Sequence, residues 1–179
     1  YLLKKILILL NSFTLKKFSY LLLIRLNKYI SNSGVCSRRE ADILISKGKI
    51  KINNKVVTTL GIKVAEEDEV VYNGKILNPE KHQYILINKP KNCITTVKDT
   101  HDRKTVMDII EGACEQRLYP VGRLDRDTTG LLILTNDGEL TKRLTHPSFG
   151  IKKKYLIQLE NSIHPDCLKE MVNGINLED

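Results

Sequence analysis

Residues Lys49-Ile50-Lys51-Ile52 alternate strictly between lysine and isoleucine, a period of two that puts one face of a strand in a core and the other in water. Such a strand needs a layer to cover its apolar face, and the chain supplies one just upstream. Leu26, Tyr29 and Ile30 recur at helical spacing, with Gly34 as a left-handed stop. Ser37-Arg38-Arg39-Glu40 then opens a second helix as a capping box, with Ala41, Leu44 and Ile45 as its buried stripe and Gly48 as its end. Downstream, Asn53-Asn54 turns the strand back through Val56-Val57, and Glu69-Val70-Val71-Tyr72, ahead of Asn73-Gly74, predicts a further strand. A small α/β unit over residues 24–75 follows from these features.

Charge points the same unit at a partner. Of 29 basic and 21 acidic residues in the 179-residue chain, the whole excess of +8 lies in the first 75 positions. Residues 76–179 carry fifteen of each sign, whereas Arg25 to Lys55 hold eight basic and two acidic side chains. That density suits a phosphate-binding face, with Arg38, Arg39 and Lys47 on the outer side of the second helix. A hydrophobic content of 41% excludes global disorder. Cys36, Cys93, Cys114 and Cys167 form no CxxC pair, which excludes the usual zinc and thiol-exchange motifs and suits a reducing compartment. In residues 1–23, a basic apolar extension, the apolar runs are too short to cross a membrane and no small-residue cleavage site follows. The chain is therefore expected to be neither membrane-bound nor secreted. It begins without methionine and ends at Asp179 with no terminating element, which reads as a fragment.

Residues 76–83, with Pro79, Glu80 and Lys81, are polar enough to be a linker, and a second unit fills 84–179. Tyr84 to Asn88 predicts a strand stopped by Lys89-Pro90, and Thr105 caps a short helix over Val106, Met107, Ile109 and Ile110. Leu118 to Val121 and Leu131 to Leu134 read as buried strands flanking the loop from Gly122 to Gly130. Asn136-Asp137-Gly138 leads into a helix buried through Leu140 and Leu144, Tyr155 to Leu159 predicts another strand, and Pro165 to Val172 another helix. Irregular alternation with short connections makes the class α+β, mixed and largely antiparallel, rather than a doubly wound parallel sheet.

The loop Gly122-Arg123-Leu124-Asp125-Arg126-Asp127-Thr128-Thr129-Gly130 admits three readings. As a calcium loop it places Asp125, Asp127, Thr129 and Gly130 at positions 1, 3, 5 and 6, but Asn136 stands where the bidentate glutamate belongs. As a plain surface turn it has the expected Asp, Thr and Gly content. As a chemical loop it presents a carboxylate, with arginines beside it, from between two apolar strands. His101, His146 and His164 are scattered and suggest no hydrolase relay.

Two resemblances bear on the choice. Arg25-Leu26-Asn27-Lys28-Tyr29-Ile30, Gly34 to Ala41 and Gly48 to Asn53 resemble an S4 domain, which implies an RNA-binding surface of Arg25, Lys28, Ser37, Arg38, Arg39, Lys47, Lys49 and Lys51. Gly122-Arg123-Leu124-Asp125, Thr129 to Leu132, Thr135 to Leu140, Leu144 to Pro147 and Lys153-Lys154-Tyr155 resemble the motif series of the pseudouridine synthases. An S4 module ahead of that core is similar to the branch that modifies ribosomal RNA, and residues 173–179 are similar to its large-subunit members. The resemblance implies Asp125 as the catalytic residue, Arg123 as a contact to RNA around the extruded nucleotide, and Tyr155, with Lys153, against the target uracil.

The implied reaction breaks the N1–C1′ bond of uridine and remakes it from C5, without net redox change or hydrolysis, so no cofactor and no metal is expected. Asp125 would act on the sugar as nucleophile or as base. The expected partner is ribosomal RNA, more specifically that of the large subunit, met by a monomer in a bacterial cytoplasm or an organelle. Relatives carry later strands with a basic partner for the aspartate and an apolar residue beneath the uracil. The chain is accordingly expected to hold an S4 domain and about half of a catalytic domain, with an exposed sheet edge, and to be inactive and poorly soluble by itself. The rival reading is a non-catalytic S4-type RNA-binding or ribosome assembly factor.

Overall fold

The computed structural model describes residues 23–175; the extension expected before Leu23 and the last four residues of the 173–179 motif lie outside them. Contacts divide the chain into two compact units, one ending at Thr145 and the other beginning at His146.

The first unit starts with β1 (Ile24–Arg25), α1 (Leu26–Asn32) and α2 (Arg38–Ser46). Gly34 lies at φ +75°, the left-handed stop the sequence implies. The capping box of α2 is complete: the Ser37 hydroxyl accepts from the Glu40 N–H at 3.3 Å, and the Glu40 carboxylate accepts from the Ser37 N–H at 2.8 Å. Strands β2 (Ile50–Ile52) and β3 (Lys55–Val57) form the hairpin, with Asn53 and Asn54 at the positive φ values that a two-residue turn demands. After β4 (Lys63–Val64), which pairs with β1, the chain forms β5 (Val70–Tyr72) and β6 (Lys75–Ile76), and the larger sheet runs in the order β3-β2-β5-β6. Its core unites Leu26, Ile30, Ala41, Ile45, Ile50, Val64 and Val70, all essentially inaccessible to solvent.

Strand β6 carries this unit into the stretch expected to be linker. Ile76 pairs with Val71, the Leu77 side chain is buried in the first core, and the Tyr29 hydroxyl donates to the Leu77 carbonyl at 2.9 Å. The chain leaves this core only after Leu77. β1, β4 and β6 are two residues each, too short to show a period.

The rest of the first unit is built on β7 (Tyr84–Lys89), β8 (Tyr119–Pro120) and β9 (Gly130–Thr135), in the order β7-β9-β8 and all antiparallel. α3 (Val106–Ile109) begins at its Thr105 cap, and α4 (Gly138–Thr145) follows β9. One sheet face, with Ile85, Ile87, Leu132 and Leu134, closes over Cys93, Val106 and Leu118. On the opposite face Leu86 and Leu131 are exposed. Every strand pair in the unit is antiparallel, and the α+β class is as expected.

Further expectations fail: Leu131, expected to be buried in its strand, is exposed. The stripe of α4 is not buried: Leu140 is half-buried and Leu144 exposed. In the second unit, residues 155–159 form no strand, and Tyr155, Leu156 and Ile157 are exposed. A helix closes its own hydrogen bonds, so α5 (Pro165–Asn173) forms as its pattern predicts. A strand needs a neighbour, and none of the described strands pairs with 155–159.

Ile45→Ala is expected to cost about 2–5 kcal/mol, read as a lower urea midpoint with an unchanged slope. Ile76→Ala, at an exposed position in β6, is expected to shift the midpoint by no more than about 0.5 kcal/mol.

Candidate active site

The loop between β8 and β9 is held by its backbone and open at its side chains. Thr95 grips one side of Asp125: its hydroxyl donates to the Leu124 carbonyl at 2.7 Å and lies 3.3 Å from the Leu124 N–H, which it accepts. Lys89 and Cys93 grip the other. The Cys93 N–H donates to the Arg126 carbonyl at 3.3 Å, and the Lys89 ammonium donates to that same carbonyl at 3.0 Å. The remaining Lys89 donors go to the carbonyls of Cys93, at 2.7 Å, and Pro90, at 3.0 Å.

Lys89 is wholly buried. An ammonium has three donors, and three backbone carbonyls meet them, which compensates a charge that burial would otherwise penalise heavily. Asp125 thus sits between two pinned residues, with its own carbonyl accepting from the Thr128 N–H at 3.1 Å and its side chain exposed to solvent. Arg123 is exposed on the same loop, and Arg126 reaches Asn92 Oδ1 at 3.3 Å.

In the sequence Lys89 marks only the end of a strand. Its signal was parity, since Ile85, Ile87 and Lys89 fall on one face of β7, and a lysine at the core-facing phase must find buried acceptors.

The Thr135-Asn136-Asp137-Gly138 turn, a helix start and part of the motif series in the sequence, is a second organising point. Asn136 Oδ1 accepts from the Gln83 N–H at 2.8 Å and its amide donates to the Lys81 carbonyl at 3.1 Å, which clamps the incoming linker. Asp137 Oδ1 accepts from the Glu139 and Leu140 N–H groups, and its Oδ2 from the Tyr84 hydroxyl at 2.9 Å. Burial pushes the Asp137 carboxyl up, but the hydrogen bonds from Leu140, Tyr84 and Glu139 and the nearby His82 outweigh it, and the group titrates below its usual value. At Gly138 a Cβ would stand a tight 3.1 Å from the Tyr119 hydroxyl, which itself donates to the Asn136 carbonyl.

Of the residues implied for RNA contact, Lys28, Ser37 and Arg38 line one cleft. Arg25 is exposed in β1; Arg39 and Lys47 lie exposed on α2 and at its end; Lys49 and Lys51 are exposed at and on β2. Lys28 is half-buried and ion-paired with Glu139 at 3.4 Å, and the Ser37 hydroxyl serves as a helix cap. Lys153 and Tyr155 belong to the second unit, where both are exposed. Among the described residues no group of three or more His, Cys, Asp or Glu side chains is arranged to hold a metal ion. Burial raises the thiol pKa of Cys36 and of Cys93, which disfavours the nucleophilic thiolate.

The RNA pseudouridylate synthase family matches residues 83–176, more than half of the chain, and the S4 domain family matches residues 24–70. The chain belongs to the RNA pseudouridylate synthase family. It is 46% identical to an "Uncharacterized RNA pseudouridine synthase" of Aquifex aeolicus (strain VF5) and 44% identical to the "Ribosomal large subunit pseudouridine synthase B" of Bacillus subtilis (strain 168), in each case over 87% of this chain and 63% of the relative. It is 36% identical to the "Dual-specificity RNA pseudouridine synthase RluF" of Escherichia coli (strain K12), over 85% of this chain and 52% of that protein. The chain thus spans less than two thirds of the length of these relatives. Within this synthase family member, the backbone of the loop around Asp125 is braced by Thr95, Lys89 and Cys93, all from outside its own strand pair.

Lys89→Met would leave three carbonyls without their donor and is expected to destabilise the fold by at least about 2 kcal/mol, with faster hydrogen exchange at the Cys93 and Leu124 amides than at Leu132. Because the folded Asp137 carboxyl is the stronger acid, it contributes stability above its unfolded pKa of about 3.9 and loses it as the pH falls below that value. Asp137→Asn is expected to flatten this acid-side fall in melting temperature.

Proposed function

We propose that the protein isomerises a uridine of large-subunit ribosomal RNA to pseudouridine, with Asp125 as the catalytic residue and with no cofactor. The observation that carries this reading is the exposed Asp125 carboxylate on a loop braced at Leu124 and at Arg126. A carboxylate so presented can work on a ribose while its own main chain stays still, the preorganisation that positional catalysis requires. Membership of the synthase family and the name of the Bacillus subtilis relative support the reaction and the large-subunit substrate.

The reaction is balanced within the nucleotide. The N1–C1′ bond breaks, the uracil turns, C5 bonds to C1′ and loses its proton, and N1 gains one. Asp125 acts at the sugar as nucleophile or as base. Reaching it requires the uridine to leave any stacked helix, at a cost of a few kcal/mol. In this reading Tyr155 offsets part of that cost by stacking, worth about 1–3 kcal/mol per base, Arg123 and Lys153 hold the RNA around the extruded nucleotide, and Arg25, Lys28, Ser37, Arg38, Arg39, Lys47, Lys49 and Lys51 grip the surrounding folded RNA. Residues 24–75 then form the RNA-docking module and 84–179 the catalytic portion.

The test is to carry Asp125→Asn in the gene in its own host and to map pseudouridine across the ribosomal RNA. One large-subunit mark is expected to vanish while the protein level holds. Retention of every mark would overturn the assignment.

A further inference from the structure

The cleft of about 550 Å³ lined by Lys28 and Arg38 from the helical pair is closed on its other side by Arg117, Tyr119, Glu139 and Lys142, from the β8 approach and α4. Four of these six side chains are cationic and one is acidic. A small-molecule pocket carries only a small number of placed polar groups; this one carries four cations along its wall.

Arg117 is its most telling member. Its neighbour Leu118 is locked in the core, so the base of the arginine is fixed, and the residue is half-buried. Yet among the described residues its guanidinium makes neither a hydrogen bond nor an ion pair. The nearby acid Glu40 is already taken, accepting from the Ser37 N–H at 2.8 Å, although the Arg117 charge is felt there. Five planar donors left unpaired at a cleft whose one carboxylate, Glu139, is engaged by Lys28 are matched to an incoming phosphate. The α4 N-terminus is not that receptor, because Asp137 occupies its first amides. The acid on the cleft wall, Glu139, is paired with Lys28 at 3.4 Å, with the Lys28 and Glu139 side chains 36% and 51% exposed, so the pair is weak and is the natural competitor for any anion entering the cleft.

We infer that this cleft binds the phosphodiester backbone of the substrate RNA, with Arg117 as a phosphate contact and the Lys28–Glu139 pair as a bridge that opens to release Lys28 to the same strand. The inference rests on the RNA-directed reading above. It extends the docking face from the helical pair onto the synthase portion, so that a single strand of backbone is held by both.

The experiment measures binding of a labelled stem-loop RNA to the full 179-residue chain over a series of chloride concentrations, for the unaltered protein and for Arg117→Gln and Glu139→Gln. Arg117→Gln is expected to weaken binding and to reduce the slope of log K against log salt by about one unit, the loss of one phosphate contact. Glu139→Gln, at an exposed site, is expected to tighten binding severalfold at low salt and to lose that advantage at high salt. Inorganic phosphate at matched ionic strength is expected not to displace the RNA. An unchanged slope for Arg117→Gln with unchanged melting, an unchanged or weaker Glu139→Gln, or displacement by phosphate would each overturn the cleft assignment. If the unaltered chain binds the stem-loop and only these effects are missing, the cleft fails and the proposed reaction stands; if it binds no RNA at all, both fall.

Discussion

A lysine ammonium sealed among backbone carbonyls is expensive to desolvate, and it persists only where each of its donors finds an acceptor. Lys89 meets that condition with the carbonyls of Pro90, Cys93 and Arg126. Because those carbonyls belong to two separate loops, the same charge that must be satisfied also joins them. The end of β7, the turn after it and the loop carrying Asp125 become one piece. A neutral side chain could fill the volume but could not hold three carbonyls that would otherwise repel one another. The exposure of Asp125 is tolerable for the same reason: the loop needs no help from that side chain to keep its shape, and the carboxylate is left available for chemistry.

The Asp137 turn extends this economy of roles to the junction of the two cores. One residue clamps the linker through Lys81 and Gln83, and the next caps α4 and receives the Tyr84 hydroxyl. The helix that carries Glu139 and Lys142 is thereby tied to the sheet and to the chain leaving the first core. The Lys28–Glu139 contact therefore joins two elements whose positions are already defined elsewhere, and its weakness has no structural penalty.

Legibility in the sequence followed the range of the interactions. The α2 capping box, the Asn53-Asn54 hairpin, the Gly34 stop and the Thr105 cap involve residues within four positions of one another, and all four appear where the pattern puts them. β1, β4 and β6 left no trace because two residues cannot display a period. The 155–159 segment shows the converse, an apolar run whose pattern suits a strand but whose ladder requires a neighbour that none of the described strands provides. In α4 the apolar spacing of Leu140 and Leu144 was real, but spacing says which side chains share a face and not whether anything covers it.

For the candidate site the division is similar. The sequence by itself determined where Asp125 stands, in a Gly-Arg-Leu-Asp loop between two apolar strands, and where the basic residues gather, because motif and composition are written in consecutive positions. Only the tertiary structure decided what braces that loop and what faces the basic helices. Lys89 is 37 positions from Arg126 and Lys28 is 111 from Glu139, and Arg117 joins the cleft from a different element altogether. Such pairings depend on how two cores pack, which no local period encodes, since the energy that selects them is shared among many buried contacts rather than carried by any short run of residues.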